Sequence, residues 1–319
     1  MQSTKPPSSC WIITEGLIGT ENQCIGVGQA LGIPYDVKRI SLKQPWKTLS
    51  PFLGLETQHS FTEPLTPPWP DLLITSGRKS IAASRYIKKQ SSKKTFTLHI
   101  QDPRTSTDHF DLVAVPEHDP TRGDNVIVTR ASPNKIASDL LHSAKQSFPL
   151  FENISSPRIA VLIGGKSKAY DMGEKTCTRI IEQLSALEGN LMITCSRRTG
   201  EENYKRFRDA LDTPENFFWD GTGDNPYLGL LSWADYILVT ADSASMISES
   251  CTTGKPVYMI NLDGGATRIQ NLHTNLIRDG VLKVFDGIIE PYSYEPLNDA
   301  QFVANEVKKH YEAFTLSYT

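Results

Sequence analysis

The sequence predicts an α/β protein built as two Rossmann-like domains facing each other across a cleft. Three observations carry that expectation. Short apolar runs alternate with helical segments from residue 10 onward, the pattern of a parallel sheet covered on both faces. The same pattern restarts after Ser155-Ser156-Pro157. A length of 319 residues suits two domains of ordinary size.

In the first half, Cys10 to Thr14 reads as a strand, followed by the loop Glu15 to Gln23 and a helix to Leu31. Gly32 and then Pro34 stop that helix in the usual order. Tyr35 to Leu42 and Asp71 to Thr75 read as strands, Ser76-Gly77 as a loop and Lys79 to Lys89 as a helix. Thr95 to Ile100 and Asp111 to Val115 complete a set of short buried strands. Residues 43–70 differ, with Pro45, Pro51, Pro64, Pro67, Pro68 and Pro70 among Trp46, Phe52, Phe61 and Trp69. Long irregular connections inside a domain either cover a core or serve a function. Two readings stand: a strap that buries its aromatics, or a loop that contacts an acceptor or a membrane.

In the second half, Arg158 to Ile163 is a strand, Gly164-Gly165 a loop and Gly173 to Leu187 a helix. Leu191 to Thr194, Asn216 to Trp219, Tyr236 to Thr240 and Val257 to Ile260 read as strands. Helices are expected near Glu201 to Leu211 and over Ser245 to Thr252. The expected domains are therefore 10–150 and 157–296, with a last helix at about 299–314 crossing back to the first. Residues 1–9 are expected to be a disordered tail.

Composition narrows the classes. A formal charge of −3, 39% hydrophobic and 22% charged residues are ordinary for a soluble globular chain. No run approaches the roughly 18 apolar residues of a membrane span. Met1 to Ser9 lacks the apolar stretch of a signal peptide, so a cytoplasmic location is expected. The cysteines Cys10, Cys24, Cys177, Cys195 and Cys251 are scattered, with no Cys-x-x-Cys, which disfavours a zinc ribbon or a disulfide framework.

Two motifs fail on context. Gly26-Val27-Gly28 lies inside a helix, too far past its strand to meet a pyrophosphate, and suits close helix packing instead. Gly165-Lys166-Ser167 resembles the end of a P-loop, but residues 160–163, where that loop would begin, are strand.

What survives is a set of polar loops after strands of the second half. Gly164 and Gly165 allow close backbone approach, and Lys166 offers charge to a phosphate. Ser196-Arg197-Arg198-Thr199 places paired guanidinium groups where phosphate oxygens would sit, or else caps a helix with Ser196 or Thr199. Asp242, Ser243, Ser245 and Met246 open a hydroxyl-rich helix whose amides and dipole favour an anion. Glu249 lies at i+4 from Ser245, on the same face, placed to accept from ribose hydroxyls, or else is a solvated residue of a simply capped helix.

The 242–249 segment resembles the nucleotide-sugar domain of GT-B glycosyltransferases and of non-hydrolysing sugar-nucleotide epimerases. Further pieces are Gly19-Thr20-Glu21-Asn22-Gln23, Gln101-Asp102-Pro103-Arg104 and Phe110 to Asp119. Together with Ile163-Gly164-Gly165, Ser196 to Thr199 and Asp242 to Glu249 they cover nearly the whole chain. They resemble the mitochondrial fission "elongated mitochondria" (Elm) family, in its bacterial type. The resemblance implies a GT-B-like fold and divides on activity. The plant member looks like an adaptor for dynamin-related proteins, and the bacterial relatives like GT-B enzymes.

On the enzyme reading the donor is a nucleotide sugar such as a UDP- or GDP-sugar, and the reaction is a metal-independent glycosyl transfer. The alternatives are a non-catalytic adaptor on the same scaffold and a sugar-nucleotide epimerase. The first domain would then hold the acceptor and a general base, for which Asp102 and His118, beside Asp119, are candidates. Arg104 could equally pair with Asp102 and make both structural. Gly19, Thr20, Asn22 and Gln23 would add contacts to the donor phosphates. His99, inside an apolar strand, reads as a core residue. No Asp-x-Asp diphosphate-metal motif stands out, so no metal or other cofactor is expected and Lys and Arg would stabilise the leaving group. Arg78, Lys79, Arg85, Lys88, Lys89, Lys93 and Lys94 form a run without an acid. It is a solvated helix face or a contact with an anionic membrane surface, as would suit a lipid-linked or glycan acceptor at the inner face of the membrane. Nucleic acid is disfavoured by the slightly acidic total.

Overall fold

The computed structural model describes residues 6–316. The chain forms two compact units, one ending at Lys135 and rejoined from Asn298 onward, the other spanning Ile136–Leu297. The elements of the first unit are β1 (Cys10–Thr14), α1 (Ile18–Leu31), β2 (Tyr35–Arg39), α2 (Trp46–Leu49), β3 (Leu72–Ser76), α3 (Ser80–Gln90), β4 (Phe96–Ile100), β5 (Leu112–Pro116) and β6 (Val126–Thr129). Its six strands are all parallel, in the order β2-β1-β3-β4-β5-β6. β1, β3, β4 and β5 are buried along their whole length, as strands covered on both faces must be. Edge strand β2 has no buried residue, only exposed and half-buried ones.

The second unit holds α4 (Ser138–Ser147), β7 (Arg158–Ile163), β8 (Tyr170–Asp171), α5 (Glu174–Ser185), β9 (Asn190–Cys195), α6 (Glu201–Leu211), β10 (Phe217–Phe218) and α7 (Tyr227–Trp233). It continues with β11 (Tyr236–Thr240), α8 (Ala244–Thr252), β12 (Val257–Ile260), β13 (Asp263–Gly264), α9 (Thr267–Arg278) and β14 (Lys283–Val284). A parallel sheet of order β10-β9-β7-β11-β12-β14 forms its centre. α5 buries Thr176, Cys177, Ile180 and Leu184, one stripe at helical spacing. Finally α10 (Asp299–Leu316) packs in the first unit against α1, through Val303, Ala304, Val307 and Tyr311. The Asp299 carboxylate fixes its start by accepting from the amides of Arg130 (2.9 Å) and Ala131 (3.1 Å).

Three expectations change. The border expected over 150–157 lies at Lys135 and Ile136, because α4 belongs to the second unit. Trp233 Nε1 there donates to Lys145 O at 3.1 Å, and Phe148 fills the space that a side chain at Gly229 would need. The disordered tail of 1–9 is in part an ordered segment. Residues 1–5 lie outside the described residues, but Pro7 is buried and Ser8 N donates to Asp71 Oδ2 at 2.8 Å. Asp71 N in turn donates to Ser9 Oγ at 3.0 Å. The loop expected over 15–23 is mostly helix, since α1 already starts at Ile18. Glu21 sits in its first turn, where the helix dipole favours an anion, and Arg39 holds it at 2.7 Å. Close packing by Gly26 is seen: a Cβ there would lie 2.2 Å from Asn134 O.

His99 is a core residue, 1% exposed, hydrogen-bonded to Thr75 Oγ1 at 2.9 Å and stacked on Phe110. Burial lowers its pKa from 6.5 to about 3, against an opposing pull from the Asp102 carboxylate. Below the ordinary value of 6.5 the unfolded chain takes up a proton that the native ring does not. Stability contributed by this group therefore falls by about 1.4 kcal/mol per pH unit as pH drops from there toward 3. Urea midpoints between about pH 7 and about pH 5 should show that slope, and His99→Gln should flatten it. An identical slope in the variant would remove His99 as its source.

Candidate functional site

In the second unit the chain builds outward from β7, to β9 and β10 on one side and to β11 and β12 on the other. The order reverses between β7 and β11, and sheets of this kind open a crevice at the carboxyl ends of such strands. Gly164 follows β7 there, and Asp242 and Ser243 follow β11.

Asp242 ties three loops together from a side chain that solvent does not reach. It accepts from Gly165 N at 3.1 Å and Thr240 Oγ1 at 2.6 Å, and pairs with Arg198 Nη2 at 2.7 Å. Gly164 N donates to Thr240 Oγ1 at 2.7 Å. Thr199, buried, donates to Gly164 O at 2.5 Å, and Lys166 N donates to Arg198 O at 3.0 Å. Both glycines are obligatory here. A Cβ would lie 2.1 Å from Asp242 Oδ1 at Gly164 and 2.2 Å from Arg198 O at Gly165, where φ is +154°.

This network corrects several expected roles. The amides of Gly164 and Gly165 serve Thr240 and Asp242 instead of pointing at an incoming phosphate. Arg198 is neutralised by Asp242, and Asp242 and Thr199 brace the loops. Ser196 accepts from Arg198 N at 3.2 Å and so caps its turn. The Ser196 cap is among the readings of the sequence; the partners of Gly164, Gly165, Arg198 and Thr199 are not, because contacts between distant strands set them.

What the network leaves on the open side is smaller and more definite. Ser243 caps α8 by accepting from Met246 N at 3.4 Å, which leaves the Ala244 and Ser245 amides at the positive end of a nine-residue helix. Ser245 and Met246 are half-buried. Arg197 is exposed and forms no ion pair among the described residues. Lys166 is 77% exposed and reaches Asp171 only at 3.4 Å. Glu249 is buried, and its Oε2 accepts from Tyr227 OH at 2.5 Å. Burial, then the Glu249 charge, pushes the Tyr227 phenol well above its usual range, so it remains a donor.

One neighbouring feature escaped sequence reasoning. A cavity of about 450 Å³ opens after β10, lined by Phe148, Phe218, Trp219, Asp220, Thr222 and Pro226 among others. It adjoins α7, whose first residue is Tyr227. The signal was present in Trp219-Asp220-Gly221-Thr222-Gly223, one more polar, glycine-bearing loop at the carboxyl end of a strand.

In the first unit the corresponding reversal lies between β1 and β3. Glu15 there accepts from Lys79 N at 2.9 Å and pairs with its Nζ at 2.7 Å. Gly19, Thr20, Asn22 and Gln23 are helical, Thr20 Oγ1 donates to Leu17 O, and buried Gln23 accepts from Gln101 Nε2 at 3.0 Å. Asp102 accepts from Arg104 N and Thr121 Oγ1, both at 2.8 Å, so its tie to Arg104 runs through backbone and not through the guanidinium. The His118 side chain is 7% exposed, with Nε2 at 3.7 Å from Asp119 Oδ1. The basic run is thinner than its sequence, because Lys79 pairs with Glu15, Lys88 with Asp111 and Arg85 with Glu56. No described helix is long and apolar enough to cross a membrane. No group of three His, Cys, Asp or Glu placed to hold a metal occurs among the described residues.

Comparison with known proteins agrees with this architecture. The profile of the family described as "Mitochondrial fission ELM1" matches residues 18–311. The Arabidopsis thaliana mitochondrial fission protein ELM1 is 30% identical over 276 residues, 76% of this chain. This chain spans only 64% of that protein's length. A putative UDP-N-acetylglucosamine 2-epimerase from Listeria monocytogenes superposes with a TM-score of 0.56 at 13% identity, over 94% of each chain. MurG from Acinetobacter baumannii does so with a TM-score of 0.51 at 13% identity, over 95% of this chain and all of its own. These structural likenesses establish the GT-B fold class.

Proposed function

The chain belongs to the mitochondrial fission ELM1 family, and from that premise and its GT-B fold we propose that it is a metal-independent, nucleotide-sugar-dependent glycosyltransferase. Its second unit would bind the donor, a nucleoside-diphosphate sugar. The observation that carries this reading is the strand-order reversal between β7 and β11, where the open N-terminus of α8 meets loops braced by Asp242. The diphosphate would accept from the Ala244 and Ser245 amides and the Ser245 hydroxyl. Arg197 and Lys166 would supply the charge that a leaving diphosphate needs without a metal. Glu249, oriented by Tyr227, would accept from a ribose hydroxyl, and the aromatic cavity after β10 has room for the base. In the transfer, the bond from the sugar to the diphosphate breaks as the acceptor oxygen attacks. The acceptor proton passes to a base, and the nucleoside diphosphate leaves.

One set of contacts favours a second reading, nucleotide binding without turnover, as an adaptor on this scaffold would show. Asp102 is held by two donors and the His118 side chain is largely buried, so both candidate bases are committed within the fold.

Titration calorimetry with UDP, GDP and their sugars tests the common part. Binding at micromolar to millimolar concentration, unchanged by EDTA, is expected. Arg197→Ala with Lys166→Ala should weaken it by about tenfold or more, the loss of charged hydrogen bonds. No binding of any nucleotide at millimolar concentration would end the proposal. Release of nucleoside diphosphate on adding an acceptor extract separates transfer from mere binding, and turnover of donor alone would indicate epimerisation.

A further inference from the structure

The strap between β2 and β3 hides some of its apolar side chains and displays others. Phe61 is buried, and Trp46 and Trp69 pack on the first unit's core. Leu49, Phe52 and Leu55 remain 48%, 78% and 83% exposed. Their backbone is firmly held. Phe52 N and Leu53 N both donate to Leu49 O, at 2.9 and 3.0 Å, and Trp46 Nε1 donates to Gly54 O at 3.2 Å. Arg85 gathers the turn from below, donating to Pro51 O at 2.6 Å and Leu53 O at 3.0 Å while pairing with buried Glu56. Leu55 also holds φ at +63°, a conformation that costs a leucine about 1 kcal/mol and a glycine almost nothing. Neither its exposure nor its backbone helps the fold, so the side chain calls for another explanation.

Charge around the strap is one-sided. Lys43, Lys47 and Arg78 are exposed and form no ion pair among the described residues. Arg78 is joined to the strap where Ser50 Oγ donates to its carbonyl at 3.2 Å. From Leu42 to Phe61 the sequence holds a single acid, Glu56, which is buried against Arg85; exposed Glu63 lies beyond the Leu42–Phe61 bridge.

We propose that this strap is a membrane-insertion element, with Leu49, Phe52 and Leu55 entering the acyl boundary of an anionic bilayer and Lys43, Lys47 and Arg78 meeting its phosphates. Exposed apolar side chains accompanied by exposed cations are what an anionic lipid surface binds. Docking of a second copy through the same patch would bring like charges together. The element takes only Arg78 from the basic run suggested by sequence, in which Lys79, Arg85 and Lys88 are internally paired. It uses only the first unit and stands apart from nucleotide binding.

Vesicle flotation with the full chain tests it, using phosphatidylcholine alone and phosphatidylcholine with about a third phosphatidylglycerol. Wild type should float with the anionic vesicles, much less with neutral ones, and less at high salt. Phe52→Ser combined with Leu55→Asn should reduce the floated fraction about tenfold or more, through lost apolar burial. Asparagine tolerates the left-handed backbone at 55, and an unchanged thermal midpoint would show that the fold is intact. Lys43→Ser, Lys47→Ser and Arg78→Ser together should abolish the preference for anionic lipid. Failure of wild type to float, or flotation of the Phe52/Leu55 variant at the wild-type level, overturns the proposal. So does a concentration-dependent dimer by light scattering that those two substitutions dissolve.

Discussion

Replacing Asp242 with alanine is expected to lower the stability of the second unit by about 3 kcal/mol and to abolish its nucleotide binding. The carboxylate is fully buried and serves Gly165 N, Thr240 Oγ1 and Arg198 at once. Its loss leaves a buried amide and hydroxyl unsatisfied and removes the partner of a guanidinium that is itself 43% exposed. The Arg198 part of the loss is therefore softened by solvent, and the neutral donors dominate. Asp242→Asn keeps the volume but replaces one acceptor by a donor, so it should recover part of the stability. Thermal unfolding should show the alanine variant lower by roughly 6–10 °C. Calorimetry should show binding lost at temperatures where the protein is still folded. If Asp242→Ala melts like wild type, the bracing role fails. If it binds nucleotide normally, the site does not depend on these loops.

Much of this architecture is legible in the sequence, for identifiable reasons. Strands β1, β3, β4 and β5 are buried end to end, so unbroken apolar runs announce them. Gly26 could be set aside as a nucleotide ligand because a glycine inside a helix, far past its strand, suits packing. The loops after β7, β9 and β11 could be found because carboxyl ends of parallel strands are where such sheets bind ligands. What those loops do with their own polar atoms was not legible. Asp242 and Gly165 are 77 positions apart, and only the pairing of β7 with β11 brings them together. Local propensity also misses the start of α1, since its N-cap residue Leu17 offers no side-chain acceptor to signal it. The basic run misleads for the same reason: acids from other segments, Glu15, Glu56 and Asp111, answer Lys79, Arg85 and Lys88. The true unit border escaped because a Ser-Pro break resembles a linker even when α4 before it packs on α7 after it.

Val307→Asp is expected to unfold the first unit at ordinary temperature. Val307 is fully buried in the core that α10 shares with α1, β1, β3 and β4, beside Val303, Ala304 and Tyr311. An aspartate there places a carboxylate among apolar side chains with no charge to meet it, an effect of several kcal/mol in a domain of marginal stability. The milder Val307→Ala removes two methyl groups and leaves a small void, costing about 2 kcal/mol. Tyr311→Ala should cost more, since its ring packs edge-on against Phe96 with centroids 5.9 Å apart and also neighbours Phe314. Hydrogen exchange is the direct measurement. Amides of β1, β3 and β4 should lose protection in the aspartate variant and lose part of it in the alanine one. If those strands stay protected without α10's apolar face, the helix is an ornament on a sheet that folds without it. The burial of Cys24, Val27 and Leu31 beneath that helix argues the reverse, because α1 would then present an apolar face to water.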